Sequence, residues 1–74
     1  MSECLAESVV RMENGMLWAV TIQTTDDEEA FEVESQIRWP EDPEWCSTGL
    51  IGPYKSCDEA KNAASVTYPE HRFN

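Results

Sequence analysis

The chain has 74 residues, with 15 Asp and Glu against 5 Lys and Arg, a formal net charge of −10 and a sequence pI near 4.2. That length makes one domain, residues 1–74, with little room for a second and a thin core that buries about 60–65% of the surface the unfolded chain exposes. The charge disfavours nucleic acid and anionic membranes and favours cationic partners, while a hydrophobic fraction of 41% argues against full disorder.

The first residues, M-S-E-C-L-A-E-S-V-V-R, lack the basic stretch and apolar run of a signal peptide, and no apolar run approaches the ~20 residues of a membrane span. Three cysteines, Cys4, Cys46 and Cys57, give an odd count with no CxxC. The expectation is a cytoplasmic protein with reduced thiols, the alternative a Cys46–Cys57 disulfide in an oxidising compartment.

Residues 1–7 fit either a short helix or the start of a strand. Residues 8–12 are extended and lead into Asn14-Gly15, the preferred pair for a two-residue type I′ hairpin turn. Such a turn sets Val9 opposite Val20, Val10 opposite Ala19, Arg11 opposite Trp18 and Met12 opposite Leu17, with Arg11 over the Trp18 ring. Residues 17–23 place Trp18, Val20 and Ile22 on one face, and residues 24–30 turn the chain. In residues 31–39, Phe31, Val33, Ile37 and Trp39 share one parity and Glu32, Glu34, Gln36 and Arg38 the other, the alternation of a half-buried strand. Parity puts Trp39 in the core. Pairing Ile22 with Phe31 and Val20 with Val33 makes the two apolar faces coincide. A second apolar patch, Val10, Met12, Leu17 and Ala19, falls on the opposite face.

Pro40 and Pro43 break the sheet and stiffen residues 39–45, and Trp45 at the end of that segment fits core and interface equally. Leu50-Ile51 between glycines reads as a short strand. Ser56 then caps a helix in which Glu59 can reach back to the Ser56 amide, and Cys57, Ala60, Ala63 and Ala64 lie on one face against Trp18, Val33 and Trp39. The helix ends near Val66, because Pro69 makes its predecessor extended, and the tail carrying His71 and Phe73 is solvated unless Phe73 docks. The expected fold is α+β: an antiparallel meander of three to four strands with one C-terminal helix packed on one face.

Residues 52–64, G-P-Y-K-S-C-D-E-A-K-N-A-A, resemble a phrase of peptidoglycan-binding SPOR domains, where a strand ending in Gly-Pro-aromatic precedes a capped helix containing Glu-Ala. The match spans 13 of 74 residues. SPOR domains continue with a further strand, for which this chain has almost no length left. A Gly-Pro exit, a Ser cap and small helix residues explain the phrase as a packing solution, without kinship.

Nothing in the sequence assembles a catalyst, and no cofactor or metal is expected. His71 is the only histidine, and in a solvated tail it lacks the support a general base needs. The ten- and thirteen-residue gaps separating Cys46, Cys57 and His71 match no zinc template. Cys57 at a helix N-terminus can have a lowered thiol pKa, against the competing picture of a small buried thiol. Asp26, Asp27, Glu28 and Glu29 lack the glycine and alternating ligands of a calcium loop. Five scattered bases make no phosphate-tracking patch.

The acids are unevenly placed. Asp26, Asp27, Glu28, Glu29, Glu32, Glu34, Glu41, Asp42 and Glu44 face Arg38 alone between positions 26 and 44, so −8 of the chain's −10 lies there. Glu32 and Glu34 stand about 6.6 Å apart on one strand face, a spacing that can imitate a row of phosphates. In size and charge the chain is similar to small inhibitors from mobile genetic elements that block restriction, CRISPR or repair enzymes. The sequence therefore points to an acidic, non-enzymatic protein-binding module. Its partner-binding residues are those nine acids and Trp45, and its partner is a basic protein surface such as a nucleic-acid-binding groove. The alternative is a small homo-oligomerising protein whose acidity only confers solubility, dimerising through the second apolar patch.

Overall fold

The computed structural model describes residues 4–27 and 29–73. Strands β1 (Cys4–Arg11), β2 (Leu17–Thr24), β3 (Phe31–Arg38) and β4 (Cys46–Tyr54) form one antiparallel meander, and helix α1 (Cys57–Thr67) follows. The α+β expectation holds. Residues 4–7 are strand, and the fourth strand runs well beyond Leu50-Ile51.

The first hairpin differs from expectation by one residue. Met12 N donates to Met16 O at 2.8 Å and Gly15 N to Met12 O at 3.0 Å, so the loop is residues 13–15. Gly15 takes a φ of +90°, and the Asn14 side-chain oxygen accepts from Met16 N at 3.0 Å. This is the three-residue loop in which a left-handed glycine forms a bulge. The extra residue makes Val9 pair with Ala19, Val10 with Trp18 and Arg11 with Leu17. A one-residue shift exchanges faces: Val10 turns inward beside Trp18, Val9 turns outward, and Arg11 does not lie opposite Trp18.

The second hairpin is displaced by two residues from the expected pairing. Ile22 pairs with Val33, Val20 with Ser35 and Thr24 with Phe31. An even shift preserves parity, so the apolar faces of β2 and β3 still coincide.

That inner face holds the core. Val20, Ile22, Val33, Ala60 and Ala64 are fully buried, and Trp18, Phe31, Ile51 and Tyr54 pack around them. Ala60 and Ala64, one turn apart, let α1 approach β2, β3 and β4 closely. Burying Ile22, Val20 and Val33 contributes about 1.5–3 kcal/mol each. Ser56 caps α1, its hydroxyl accepting from Glu59 N at 3.1 Å, while the Glu59 carboxylate accepts from Lys55 N, one residue before the expected Ser56 amide. Ser35, the one polar residue among the inward positions of β3, accepts from Trp18 Nε1 and from Thr48 Oγ1, both at 2.8 Å.

Helix α1 does not reach β1. The C-terminal tail does: Phe73 docks, the condition under which the tail is not solvated, and the expectation of a solvated His71 is corrected. Tyr68 N donates to Ala64 O, closing α1, and His71 N donates to Tyr68 O. The chain thereby folds back and sets His71, 2% exposed, beside Ser8, with Phe73 against the core. Among the described residues no strand follows the helix, unlike the SPOR pattern.

Candidate functional site

An antiparallel meander sends successive connections to opposite ends of the sheet, which divides the acidic stretch. Asp26, Asp27 and Glu29 lie in the β2–β3 turn, and the first helical turn brings Asp58 and Glu59 to that same end. Glu28 lies outside the described residues. Glu41, Asp42 and Glu44 lie in the β3–β4 connection, beyond the other end of a strand about 23 Å long. Glu32 and Glu34 stand between, on the outer face, where Gln23 Nε2 donates to Glu32 and Gln36 Nε2 to Glu34. The eight described acids are thus spread along a molecule 36 Å in its longest dimension and do not form one cluster.

The two connecting segments differ in what their acids do. In the β2–β3 turn one Asp27 oxygen accepts from Thr25 Oγ1 and, at 3.1 Å, from Glu29 N. The Thr25 hydroxyl first, then the Glu29 amide, hold this carboxyl below its ordinary 3.8. Asp27 is an architectural acid, closing its own turn.

The β3–β4 connection is organised by Arg38. Its Nη1 donates to Asp42 O at 2.8 Å and Pro40 O at 3.4 Å, and its guanidinium stands 5.2 Å from the centre of the Trp45 ring. Asp42 N donates to Trp39 O, and the Asp42 side chain accepts from Glu44 N, both at 3.0 Å. Two prolines remove donors that this short segment would otherwise have to satisfy. An arginine legible in the sequence only as the outward end of β3 therefore fixes the conformation of residues 39–45.

Trp39 and Trp45 are 45% and 39% exposed. For Trp39 this corrects the core position that parity implies: β3 ends at Arg38, so alternation does not extend to the residue before Pro40. Met12, in the neighbouring turn at the same end of the sheet, is also exposed, as is Glu13. One end of the molecule thus combines exposed tryptophans with Glu41, Asp42 and Glu44 on an ordered segment.

No protein-family model, curated protein or solved structure matches the chain. The site rests on its own chemistry.

Other candidate groups do not converge. Cys46 begins β4 and Cys57 follows its end, so a nine-residue strand of about 26 Å separates two free thiols that cannot pair with each other. Cys57 is half-buried against the core. Among the described residues no group of three His, Cys, Asp or Glu could hold a metal, and no ligand-sized pocket is present. No described helix is long and apolar enough to cross a membrane.

Proposed function

We propose that this protein is a non-catalytic acidic binding module that docks onto a basic protein surface through residues 39–45. The observation that carries this reading is the pair of exposed tryptophans, Trp39 and Trp45, on either side of Glu41, Asp42 and Glu44, on a segment held by Arg38. Tryptophan is the residue type most enriched among binding hot spots, and its face attracts Lys and Arg. Carboxylates beside it supply steering and orientation. A pre-ordered loop reduces the entropy lost on docking.

The class of partner follows from charge. A surface rich in Lys and Arg complements this end of the molecule, and the groove of a nucleic-acid-binding protein is the sharpest instance. Inhibition by occupying such a groove is the activity this reading assigns. A cytoplasmic setting fits an odd set of cysteines in which Cys46 and Cys57 lie at opposite ends of β4.

The test is retention from a cell lysate on protein immobilised through its C-terminus, with elution in salt steps. The reading expects a basic protein that is released at moderate salt and not retained by Trp45→Ala with Glu41→Lys and Glu44→Lys. Retention that ignores those substitutions, or no retention, would overturn it.

A further inference from the structure

The outer face of the sheet carries a charge pattern that only the observed register reveals. Three rows cross β1, β2 and β3: Arg11–Leu17–Arg38, Val9–Ala19–Gln36 and Glu7–Thr21–Glu34. The middle row is neutral. Two residues from it on one side, about 6.6 Å along the strands, the flanking positions are both arginine, and at the same distance on the other side both are glutamate.

We propose that this face is a two-fold interface with a second copy of the chain, in which Arg11 of each copy opposes Glu7 of the other and Arg38, keeping its Nη1 bonds to Pro40 O and Asp42 O, turns its remaining N–H groups toward Glu34 of the other. Rotation by 180° about an axis lying along the Val9–Ala19–Gln36 row carries each arginine over the glutamate four residues away on the same strand. Leu17 then lies over the methyl of Thr21. The resulting interface is isologous, with four opposite-charge pairs.

The shape of the face permits the approach. Its centre is flat, with Ala19 2% and Thr21 7% exposed among longer neighbours, while Val9 and Leu50 project, 48% and 56% exposed. Facing sheets pack about 10 Å apart with strands crossing at roughly 30°, which displaces the charged groups, one strand and two residues (about 8 Å) from the centre, by about 4 Å. Complementary long side chains span that offset. With Glu32 the face carries three carboxylates against two guanidiniums, nearly neutral on a chain of net charge −10, so a second copy meets less repulsion here than an acidic surface of this protein would impose. Four strands by about seven residues bury on the order of 1,000 Å² in total, the low end for a specific interface.

Ionic strength alone does not discriminate, because salt screens the four pairs and the overall repulsion together. Charge exchange does. Sedimentation analysis from micromolar to near-millimolar protein compares the natural chain with Glu7→Arg, Arg11→Glu and the double exchange, circular dichroism confirming the fold of each. Both positions are exposed. The proposal expects each single reversal to weaken the dimer about tenfold or more and the double exchange to restore it. Bulk charge predicts otherwise: Glu7→Arg adds two positive charges, taking the net from −10 to −8, and should strengthen association. A dimer strengthened by Glu7→Arg, one indifferent to all three variants, or a monomer throughout overturns the proposal.

Discussion

His71 Nδ1 lies 2.9 Å from the Ser8 hydroxyl, 63 residues earlier in the chain. This contact ties the C-terminal tail to β1, the strand α1 leaves uncovered. The imidazole also stands edge-on to Trp18, ring centres 4.4 Å apart, and Trp18 meets Tyr68 the same way at 5.8 Å. Such pairs add about 0.5–1.5 kcal/mol beyond the area they bury.

The tail contact makes stability depend on pH. Burial pushes the His71 imidazole below its ordinary 6.5, with Glu70 and the Ser8 contact acting in the opposite direction. The fold therefore favours the neutral ring, whose Nε2 is buried without a partner. Because the unfolded chain binds this proton more readily, the stability due to His71 is fully present above the ordinary value and declines as pH falls below it. Urea unfolding of the natural chain and His71→Gln from pH 8 to 5 should show the difference between them shrinking below about pH 6.5.

Trp18 is held by a hydrogen bond that a smaller aromatic cannot make. Trp18→Phe removes the donor to Ser35 Oγ and leaves space between Tyr68 and His71. A loss of about 1–3 kcal/mol is expected in chemical unfolding, with Thr48 still satisfying the Ser35 oxygen.

Two glycines with positive φ should respond differently to alanine. At Gly15, φ +90°, a Cβ meets nothing within 4 Å, so the cost is conformational, about 1–2 kcal/mol. At Gly52, φ +127°, a Cβ would stand 3.1 Å from Phe31 O and 3.3 Å from Glu32 Cα, both backbone atoms. Gly52→Ala should therefore destabilise more than Gly15→Ala, by about a further 1–3 kcal/mol, because β3 and β4 must separate there.

Arg38→Ala should loosen residues 39–45 while costing less than about 1 kcal/mol of global stability, since the guanidinium bonds only to a peripheral connection. Faster hydrogen exchange at the Asp42 and Glu44 amides, with core strand amides unchanged, is the expected result.

These outcomes separate what the residue pattern encodes from what packing decides. Alternation at positions 17–23 and 31–38 specifies both strands and their shared face, and Ser56 with Glu59 marks the helix start, because these are local signals. The first hairpin's register is not legible in the same way. Asn-Gly serves both a two-residue loop and a three-residue loop with a glycine bulge, and only the backbone distinguishes them. Trp39 misleads because alternation stops at the last ladder residue, one position before it. Burial of His71 has no periodic signature, as it depends on the tail meeting β1 across the whole chain. Acid density is visible in the sequence, but its division between two ends of the sheet follows from meander topology.

The most direct test of the proposed function follows the three tryptophan indole N–H signals by NMR while an arginine-rich peptide is added. The account predicts shifts at Trp39 and Trp45 and at the amides of residues 39–45, with the Trp18 indole, bonded to Ser35 beneath the tail, unmoved. Shifts spread evenly over the acidic surface, or concentrated at Asp26, Asp27 and Glu29 with both exposed tryptophans silent, would contradict it.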